Sequence, residues 1–224
     1  MAGLEHNGGS LRGALSAAPP RVWLQSLELD EAGPWAISEA ERAWSAELPL
    51  PVQRRYRASR HQLRSRLAEL LQLNPEAVPL HSPPGQAPSL AEGLGCVSLS
   101  HSRDQLLLAW SPWPIGVDLE WQQRRIQAEL LARRFFPPQE WFELQRLAPP
   151  QRAPQVLESW VRKEAAIKWQ RSSLATDLRH WQWCAEHQRL EHLLEGWQPR
   201  SVCERRNGWL CAVVGQAAEQ AIWD

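Results

Sequence analysis

Residues 115–120 read IGVDLE, and this stretch decides how the chain is divided. It is aliphatic, and it follows the proline-bearing connection SPWP at 111–114, so we predict a strand that opens a second domain. Alternation along a strand turns Asp118 and Glu120 to the same face. Two carboxylates on one face repel each other, and they are tolerated either in water or around a hard cation such as Mg2+. A D-x-E pair alone is weak evidence for a metal, because solvated strand edges often carry one.

The composition around this stretch is that of a folded protein. The chain has 224 residues, 43% hydrophobic and 22% charged, which suits two domains of about 110 residues. We predict a flexible N-terminus at 1–20, an N-terminal subdomain at 21–113 and a C-terminal subdomain at 114–224. The formal net charge of zero does not favour nucleic acid or an anionic membrane as a partner.

Targeting signals and cysteine spacing indicate the compartment. The N-terminus has no apolar signal core, and no run of about 18 apolar residues occurs, so we expect a cytoplasmic protein. The four cysteines show no C-x-x-C spacing, which favours buried free thiols over disulfides or zinc.

Apolar periodicity predicts a similar order of elements in the two halves, although no sequence repeat is visible. In the first half we predict a strand at 22–29, helices at 38–48 and 52–73, and a hairpin with strands at 97–100 and 106–110. In the second half we predict a strand at 115–120, helices at 127–135, 139–147 and 153–169, and strands near Trp181 and at 209–214.

The predicted long helix of the second half contains WVRKEAAIK at 160–168. Trp160, Glu164 and Lys168 recur every four residues and therefore share one helix face. The simpler interpretation is a surface Glu–Lys pair. The functional interpretation makes Glu164 a third carboxylate ligand and Lys168 a phosphate ligand.

Two further polar segments are open to two interpretations each. Ser100 and His101 lie where a strand enters a turn, and they suit either anion binding or ordinary turn chemistry. The basic helix that starts near Arg54 and contains Arg64 and Ser65 is either a solvated charged face or a phosphate-binding one.

Together these segments resemble the 4'-phosphopantetheinyl transferase superfamily, in its broad-specificity, Sfp-like group. GVDLE at 116–120 is similar to the family's G-[IV]-D-[IVL]-E, and residues 160–168 are similar to its W-x-x-K-E-A-x-x-K. VSLSHS at 97–102 and RRFF at 133–136 resemble two further family elements, [IV]-S-x-S-H-S and R-F-F. The motifs occur in the family's order, which is stronger evidence than any one of them.

The resemblance implies an α+β fold of two similar subdomains related by a pseudo-twofold axis, with the active site in the cleft between them. It implies an enzyme that moves the 4'-phosphopantetheine group of coenzyme A onto a serine of an apo acyl or peptidyl carrier protein. The reaction would depend on Mg2+ and release 3',5'-ADP. A monomer is implied, with neither nucleic acid nor a membrane as partner.

The resemblance also assigns roles to individual residues. Asp118, Glu120 and Glu164 would hold the metal, and Glu164 and Lys168 would be catalytic. Coenzyme A would be bound by residues from both halves: Arg64, Ser65, Gln86, Ser100, His101 and Lys168. Glu164 would accept the serine proton directly or through a water, with Glu120 and a metal-bound hydroxide as alternatives.

Two departures from the family pattern keep other functions open. Gln86 stands where the family usually has the lysine of G-K-P, and RSSL at 171–174 replaces a glycine-containing run. Arg171 is a candidate to replace the missing lysine charge. One alternative is therefore a non-catalytic or weakly active homologue that binds carrier protein or coenzyme A. An RNA-binding protein is a second alternative, but no RNP, KH or zinc-knuckle motif accompanies the basic helix.

Overall fold

The computed structural model describes residues 13, 15–27 and 35–224, and it has a mixed α+β architecture, as predicted. The strands are β1 (Arg21–Ser26), β2 (Leu80–His81), β3 (Ser89–Leu90), β4 (Cys96–Ser102), β5 (Gln105–Ser111), β6 (Ile115–Trp121), β7 (Trp181–Cys184), β8 (Arg189–His192), β9 (Ser201–Arg206), β10 (Trp209–Gly215) and β11 (Ile222–Trp223). The helices are α1 (Glu39–Ala46), α2 (Leu50–Leu71), α3 (Ala128–Phe135), α4 (Pro138–Leu144), α5 (Pro149–Gln170) and α6 (Leu174–Asp177).

The two halves pair their strands in the same way. In the first half β1 and β4 flank β5, and in the second half β6 and β9 flank β10, with every one of these pairings antiparallel. Each half also has one 22-residue helix, α2 or α5, followed by a small two-stranded hairpin, β2–β3 or β7–β8. The likeness of the halves is thus visible in topology although it is not visible as a sequence repeat.

A buried ion pair occurs at matching places in the two halves. Arg64 on α2 binds Glu41 on α1, with 2.5 Å between Nε and Oε2 and a sequence separation of 23 residues. Lys163 on α5 binds Glu140 on α4 at the same separation, with 2.6 Å between Nζ and Oε2. All four side chains are almost fully buried, so each charge depends on its partner.

Apolar clusters form the core of each half and join the two halves. Leu63, Leu67 and Leu71 form an apolar stripe along α2 and pack on the first sheet. Val161 and Ala165 of α5 pack on the second sheet in the same way. A third cluster lies between the sheets, with one group of members from each half: Val22, Leu107 and Ala109 from the first, and Val117, Leu119 and Val213 from the second. The halves therefore share a continuous core.

The chain ends depart from the predicted boundaries. The last strand, β11, pairs in parallel with β1 and so extends the first sheet, although we assigned 114–224 to the second subdomain. Most of the N-terminus predicted as flexible, and residues 28 and 29 of the first predicted strand, lie outside the described residues. Leu15 within 1–20 is buried in the first core cluster. A two-residue strand carries no periodicity, so the sequence could not reveal β11.

All four cysteines are free, but only Cys211 is buried as predicted, whereas Cys96, Cys184 and Cys203 are partly buried. Burial raises the pKa of the Cys203 thiol to about 12, and that of Cys211 to about 12 as well. In the described part of the chain, no helix combines the length and the apolar character needed to cross a bilayer.

Candidate active site

Strand β4 of the first half meets strand β6 of the second half through a row of serines. The serines at alternate positions of β4 share one face, and each bonds a residue of β6. The bonds are Ser98 Oγ accepting from the Val117 N–H at 3.1 Å, Ser100 Oγ donating to Asp118 Oδ1 at 2.6 Å, and Ser102 Oγ donating to Glu120 Oε2 at 3.3 Å. The S-x-S-x-S pattern of residues 98–102 thus joins the two halves at the predicted carboxylates.

Asp118 is the centre of this junction and is only 2% exposed. Its Oδ1 accepts from Ser100 and also from Lys168 Nζ, at 2.7 Å. Its Oδ2 is buried and has no hydrogen-bond partner among the described residues. An unsatisfied buried carboxylate oxygen is costly, and it is a natural ligand for a cation.

A glycine lets the long helix reach this strand. A Cβ on Gly116 would lie 2.0 Å from the Ala165 carbonyl oxygen and 2.4 Å from the Trp169 nitrogen, so only glycine admits the α5 backbone here. Gly116 is two residues before Asp118 and shares its face of β6. The face of α5 that carries Glu164 and Lys168 is therefore held against the face of β6 that carries the carboxylates.

The three carboxylates act on one another electrostatically. Burial and then the negative charges of Asp118 and Glu120 together raise the pKa of Glu164 to about 8, whereas Lys168 and Arg124 oppose the shift. Burial and the charge of Asp118 also raise the pKa of Glu120, although Arg124 binds that carboxylate. Glu164 is thus largely protonated at neutral pH when no cation is present.

The donor set suits a hard divalent cation. Three carboxylates converge on one region, one oxygen of Asp118 is unpartnered, and oxygen ligands are those that Mg2+ prefers. The oxygens of Asp118, Glu120 and Glu164 do not all lie within 4.8 Å of one another. Lys168 and Arg124 instead neutralise Asp118 and Glu120. A metal would bind only if Lys168 and Arg124 gave up part of their contacts with Asp118 and Glu120.

A cavity of about 970 Å³ opens beside these residues, in the size range of small-molecule sites. Both halves line it. The first half contributes Arg60, Gln86, Pro88, Cys96 and Ser98, and the second contributes Pro114, Ile115, Lys168, Trp169 and Arg171.

His101 lies on β4, two residues after Leu99, which lines the cavity. Burial, and then the positive charges of Arg55, Lys168 and Arg60, lower the pKa of its imidazole, while Asp118 opposes the shift. The ring is therefore neutral at physiological pH, and it belongs to the same electrostatic environment as Lys168 and Asp118.

Comparison with known proteins agrees with this geometry. The family model described as the 4'-phosphopantetheinyl transferase superfamily matches residues 114–214, which run from β6 to β10. This part of the chain is similar to the 4'-phosphopantetheinyl transferase superfamily. A curated relative is the 4'-phosphopantetheinyl transferase HetI of Nostoc sp. (strain PCC 7120 / SAG 25.82 / UTEX 2576), 35% identical over 121 residues. The alignment covers 52% of this chain and 51% of HetI, so the match spans about half the length of each.

Two of the residues that the transferase resemblance assigned to coenzyme A are placed elsewhere. Arg64 is 1% exposed, and its guanidinium binds Glu41 and donates to backbone carbonyls, including those of Val78 and Leu80. Ser65 Oγ donates to the His61 carbonyl in the preceding turn of α2. The buried ion pair of Arg64 contradicts its predicted role in binding coenzyme A. Ser65 is not among the described residues that line the cavity, and its role stays a prediction.

The cavity-lining arginine of α2 is instead Arg60, one turn earlier. Its guanidinium lies 4.6 Å from the centre of the Tyr56 ring, and its Nε donates to the Ser82 carbonyl at 3.3 Å. Helical spacing already put Arg64 beside Leu63 and Leu67 on the apolar stripe, and this signal would have indicated its burial.

Ser100 Oγ donates to the Asp118 carboxylate, and its role in binding coenzyme A stays a prediction. Gln86 and Lys168 line the cavity. Arg124, which binds Glu120, was not predicted.

A second polar cluster, apart from this site, consists of Asp177, His180 and His192. Among the described residues it is the one set of His, Cys, Asp and Glu ligand atoms that lie within 4.8 Å of one another. His192 Nδ1 accepts from the Glu195 backbone N–H at 3.1 Å, so the proton of its neutral ring is on Nε2, the atom nearer Asp177. In this structure the cluster is held by contacts of His180 and His192 with Asp177.

Proposed function

We propose that the protein is a Mg2+-dependent 4'-phosphopantetheinyl transferase of the Sfp-like, two-subdomain type. It moves the phosphopantetheine arm of coenzyme A onto a serine of an apo acyl or peptidyl carrier protein and releases 3',5'-ADP. The observation that carries the proposal is the position of Asp118. This buried carboxylate is joined to Ser100 of one half and Lys168 of the other, beside a cavity that both halves line.

The metal would be held by Asp118, Glu120 and Glu164. When bound, Mg2+ supplies positive charge that neutralises the diphosphate of coenzyme A. The unpartnered Oδ2 of Asp118 and the repulsion that raises the Glu164 pKa both support this assignment, because a cation would relieve both.

Phosphoryl transfer depends mainly on positioning and charge neutralisation, and the chain's own residues supply both. The carrier serine Oγ forms a bond to the β-phosphorus, and the bond from that phosphorus to the departing 3',5'-ADP oxygen breaks. Lys168 lines the cavity with a 32% exposed side chain, so its ammonium group is placed to offset charge on the phosphates. Ser100 fixes the orientation of Asp118, which in turn positions Lys168.

Glu164 is the group proposed to accept the serine proton. Burial together with neighbouring carboxylates raises the pKa of Glu164 to about 8 without a cation. A bound cation would lower this pKa, so that the carboxylate is ionised and able to accept a proton. Glu120 is less suited to this role, because Arg124 and Ser102 both bind its carboxylate.

The partners and compartment belong to the same proposal. The carrier protein and coenzyme A are the proposed partners of a cytoplasmic monomer that uses neither nucleic acid nor a membrane. The zero net charge supports the view that neither nucleic acid nor an anionic membrane is a partner.

To test the proposed function, the purified protein is incubated with coenzyme A, Mg2+ and apo carrier proteins of the fatty-acid, polyketide and peptide classes. Intact-protein mass spectrometry should show one phosphopantetheine added to the carrier serine. Asp118→Asn and Glu164→Gln should each reduce the rate by at least about 100-fold while the protein stays folded. Wild-type turnover by either variant would refute the assignment.

Binding of coenzyme A without transfer to any carrier would favour the non-catalytic homologue instead. The observation in its favour is Gln86, a neutral residue of the cavity where the family usually has a lysine. Isothermal titration of coenzyme A, run beside the mass-spectrometric assay, separates the two functions.

A further inference from the structure

Arg171 has a backbone conformation that a side-chain-bearing residue rarely adopts. It caps the C-terminus of α5 with φ 60° and ψ 35°, in the left-handed region where glycine is favoured. Gln72 caps the C-terminus of α2 in the same conformation, with φ 55° and ψ 46°. The left-handed cap is thus a feature of both halves, and its side chain in the second half is a long cation.

The side chain of Arg171 extends from the second half to the first. Its Nη2 donates to the carbonyl oxygen of Pro88 at 2.7 Å, and both residues line the cavity. The same cavity wall contains Gln86, which has no charge. Arg171 therefore carries a positive charge into the part of the cavity wall formed by residues 85–88.

The other cations of the cavity are already engaged. Lys168 is bound to Asp118, and Arg60 packs on Tyr56 and donates to Ser82. Among the described residues, no carboxylate lies within ion-pair distance of Arg171. A guanidinium has five N–H donors, so most of those on Arg171 remain available for an anion.

The C-terminal end of α5 disfavours an anion unless a cation lies beside it. The last carbonyls of a helix carry partial negative charge, which repels a phosphate, and a cation at this end reverses the effect. Arg171 stands at that end, where α5 meets the cavity.

We infer that Arg171 binds a phosphate group of the nucleotide that occupies the cavity, and supplies there the charge that Gln86 lacks. The inference rests on the proposed function for the identity of the nucleotide. It adds a specificity-determining residue that the paired motifs of β6 and α5 do not include.

The test measures binding of 3',5'-ADP by isothermal titration, without carrier protein and without transfer. Arg171→Gly should weaken binding by about 10- to 100-fold, the loss typical of a charge-assisted hydrogen-bonded contact. Arg171→Lys should weaken it less. Glycine suits a positive φ, so the Arg171→Gly variant should unfold at the same or a higher temperature than the wild type.

Gln72→Gly is the matched control, because it makes the same backbone change at the exposed end of α2. It should leave 3',5'-ADP binding unchanged. Gln86→Lys in the Arg171→Gly background should recover at least half of the lost binding free energy, since both side chains line one cavity.

Adenosine, which has no phosphate, serves as the second ligand. Arg171→Gly should leave its affinity unchanged, and an equal loss for adenosine and 3',5'-ADP would overturn the phosphate assignment. Unaltered binding of 3',5'-ADP by Arg171→Gly, or no binding by the wild type, would also overturn it. If carriers are modified while Arg171→Gly binds normally, this inference fails and the transferase function stands.

Discussion

The hydroxyl of Ser100 donates a 2.6 Å hydrogen bond to the carboxylate of Asp118, across the junction of the two halves. The bond joins β4 of the first sheet to β6 of the second, and Lys168 of α5 completes the contact on the same carboxylate oxygen. The carboxylate proposed to bind the metal is therefore oriented by both halves, so we expect their relative placement to affect activity as well as stability.

Replacement of Ser100 by alanine should destabilise the protein by about 1–2 kcal/mol, because a buried carboxylate oxygen loses one of its two partners. It should also lower transfer, since Asp118 loses its orientation. Urea unfolding measures the first effect and the carrier assay the second. Ser102→Ala is the control, because its bond to Glu120 is longer and only partly buried. Equal effects of the two substitutions would contradict a special role for Ser100.

Gly116→Ala should destabilise the protein by about 2–3 kcal/mol or prevent it from folding, because the added Cβ would overlap backbone atoms of α5. A Cβ on Gly13 would meet nothing within 4 Å, so Gly13→Ala should be close to neutral. Thermal unfolding of both variants provides the comparison. An unchanged melting temperature for Gly116→Ala would mean that α5 does not approach β6 as described.

The raised pKa of Glu164 makes the stability of the metal-free protein depend on pH. Its folded pKa of about 8 lies above the ordinary value of 4.5, so the folded state binds more protons between these values. The stability associated with this group is present below about pH 4.5 and is lost as the pH rises toward 8. Glu164→Gln, measured in EDTA, should flatten this decline relative to the wild type. Parallel pH profiles would show that the Glu164 pKa is not raised.

Magnesium should stabilise the folded protein if the carboxylates bind it. Ligand binding to the folded state raises the unfolding free energy by about 2.7 kcal/mol when the ligand is at 100 times its Kd. Thermal unfolding with increasing Mg2+ should therefore show a rising melting temperature. Asp118→Asn retains the shape of the side chain and should abolish the rise. The surface substitution Glu76→Gln should keep it, since Glu76 lies far outside the site in an exposed pair with Arg42.

Arg64→Met tests whether Arg64 stabilises the fold instead of binding coenzyme A. Removal of one member of a buried ion pair leaves an unpaired charge on Glu41, so we expect a loss of roughly 3–5 kcal/mol in unfolding free energy. Coenzyme A affinity of the protein that remains folded should not change. Lys163→Met should be similarly destabilising, because Lys163 occupies the matching pair with Glu140. If Arg64→Met lowered the affinity for coenzyme A without lowering stability, Arg64 would belong to the binding site.

Local patterns accounted for most elements and for the core of the site. Period-two spacing placed Asp118 and Glu120 on one face of β6, and period-four spacing placed Glu164 and Lys168 on one face of α5. Both placements agree with the structure, where Lys168 binds Asp118 and the carboxylates raise the pKa of Glu164. Gly116 alone did not predict the contact between β6 and α5, because a glycine in a strand has several possible causes. Its role became clear only from the position of the helix.

Arg64 was predicted to face the cavity, but Arg60 does so instead. Arg64 and Arg60 differ by one helical turn and have the same chemistry, so charge alone could not tell which faces the cavity. The apolar stripe of α2 held that information, because Arg64 lies among buried leucines.

The sequence by itself determined which side chains share a face, because strand and helix periodicity is a property of the local backbone. Only the tertiary structure decided which faces meet. It brought Ser100 to Asp118, buried Arg64 against Glu41, paired β11 with β1 and carried Arg171 across to Pro88. These contacts join residues far apart in the chain, and they arise from packing two sheets and two long helices around a shared core, which no local pattern encodes.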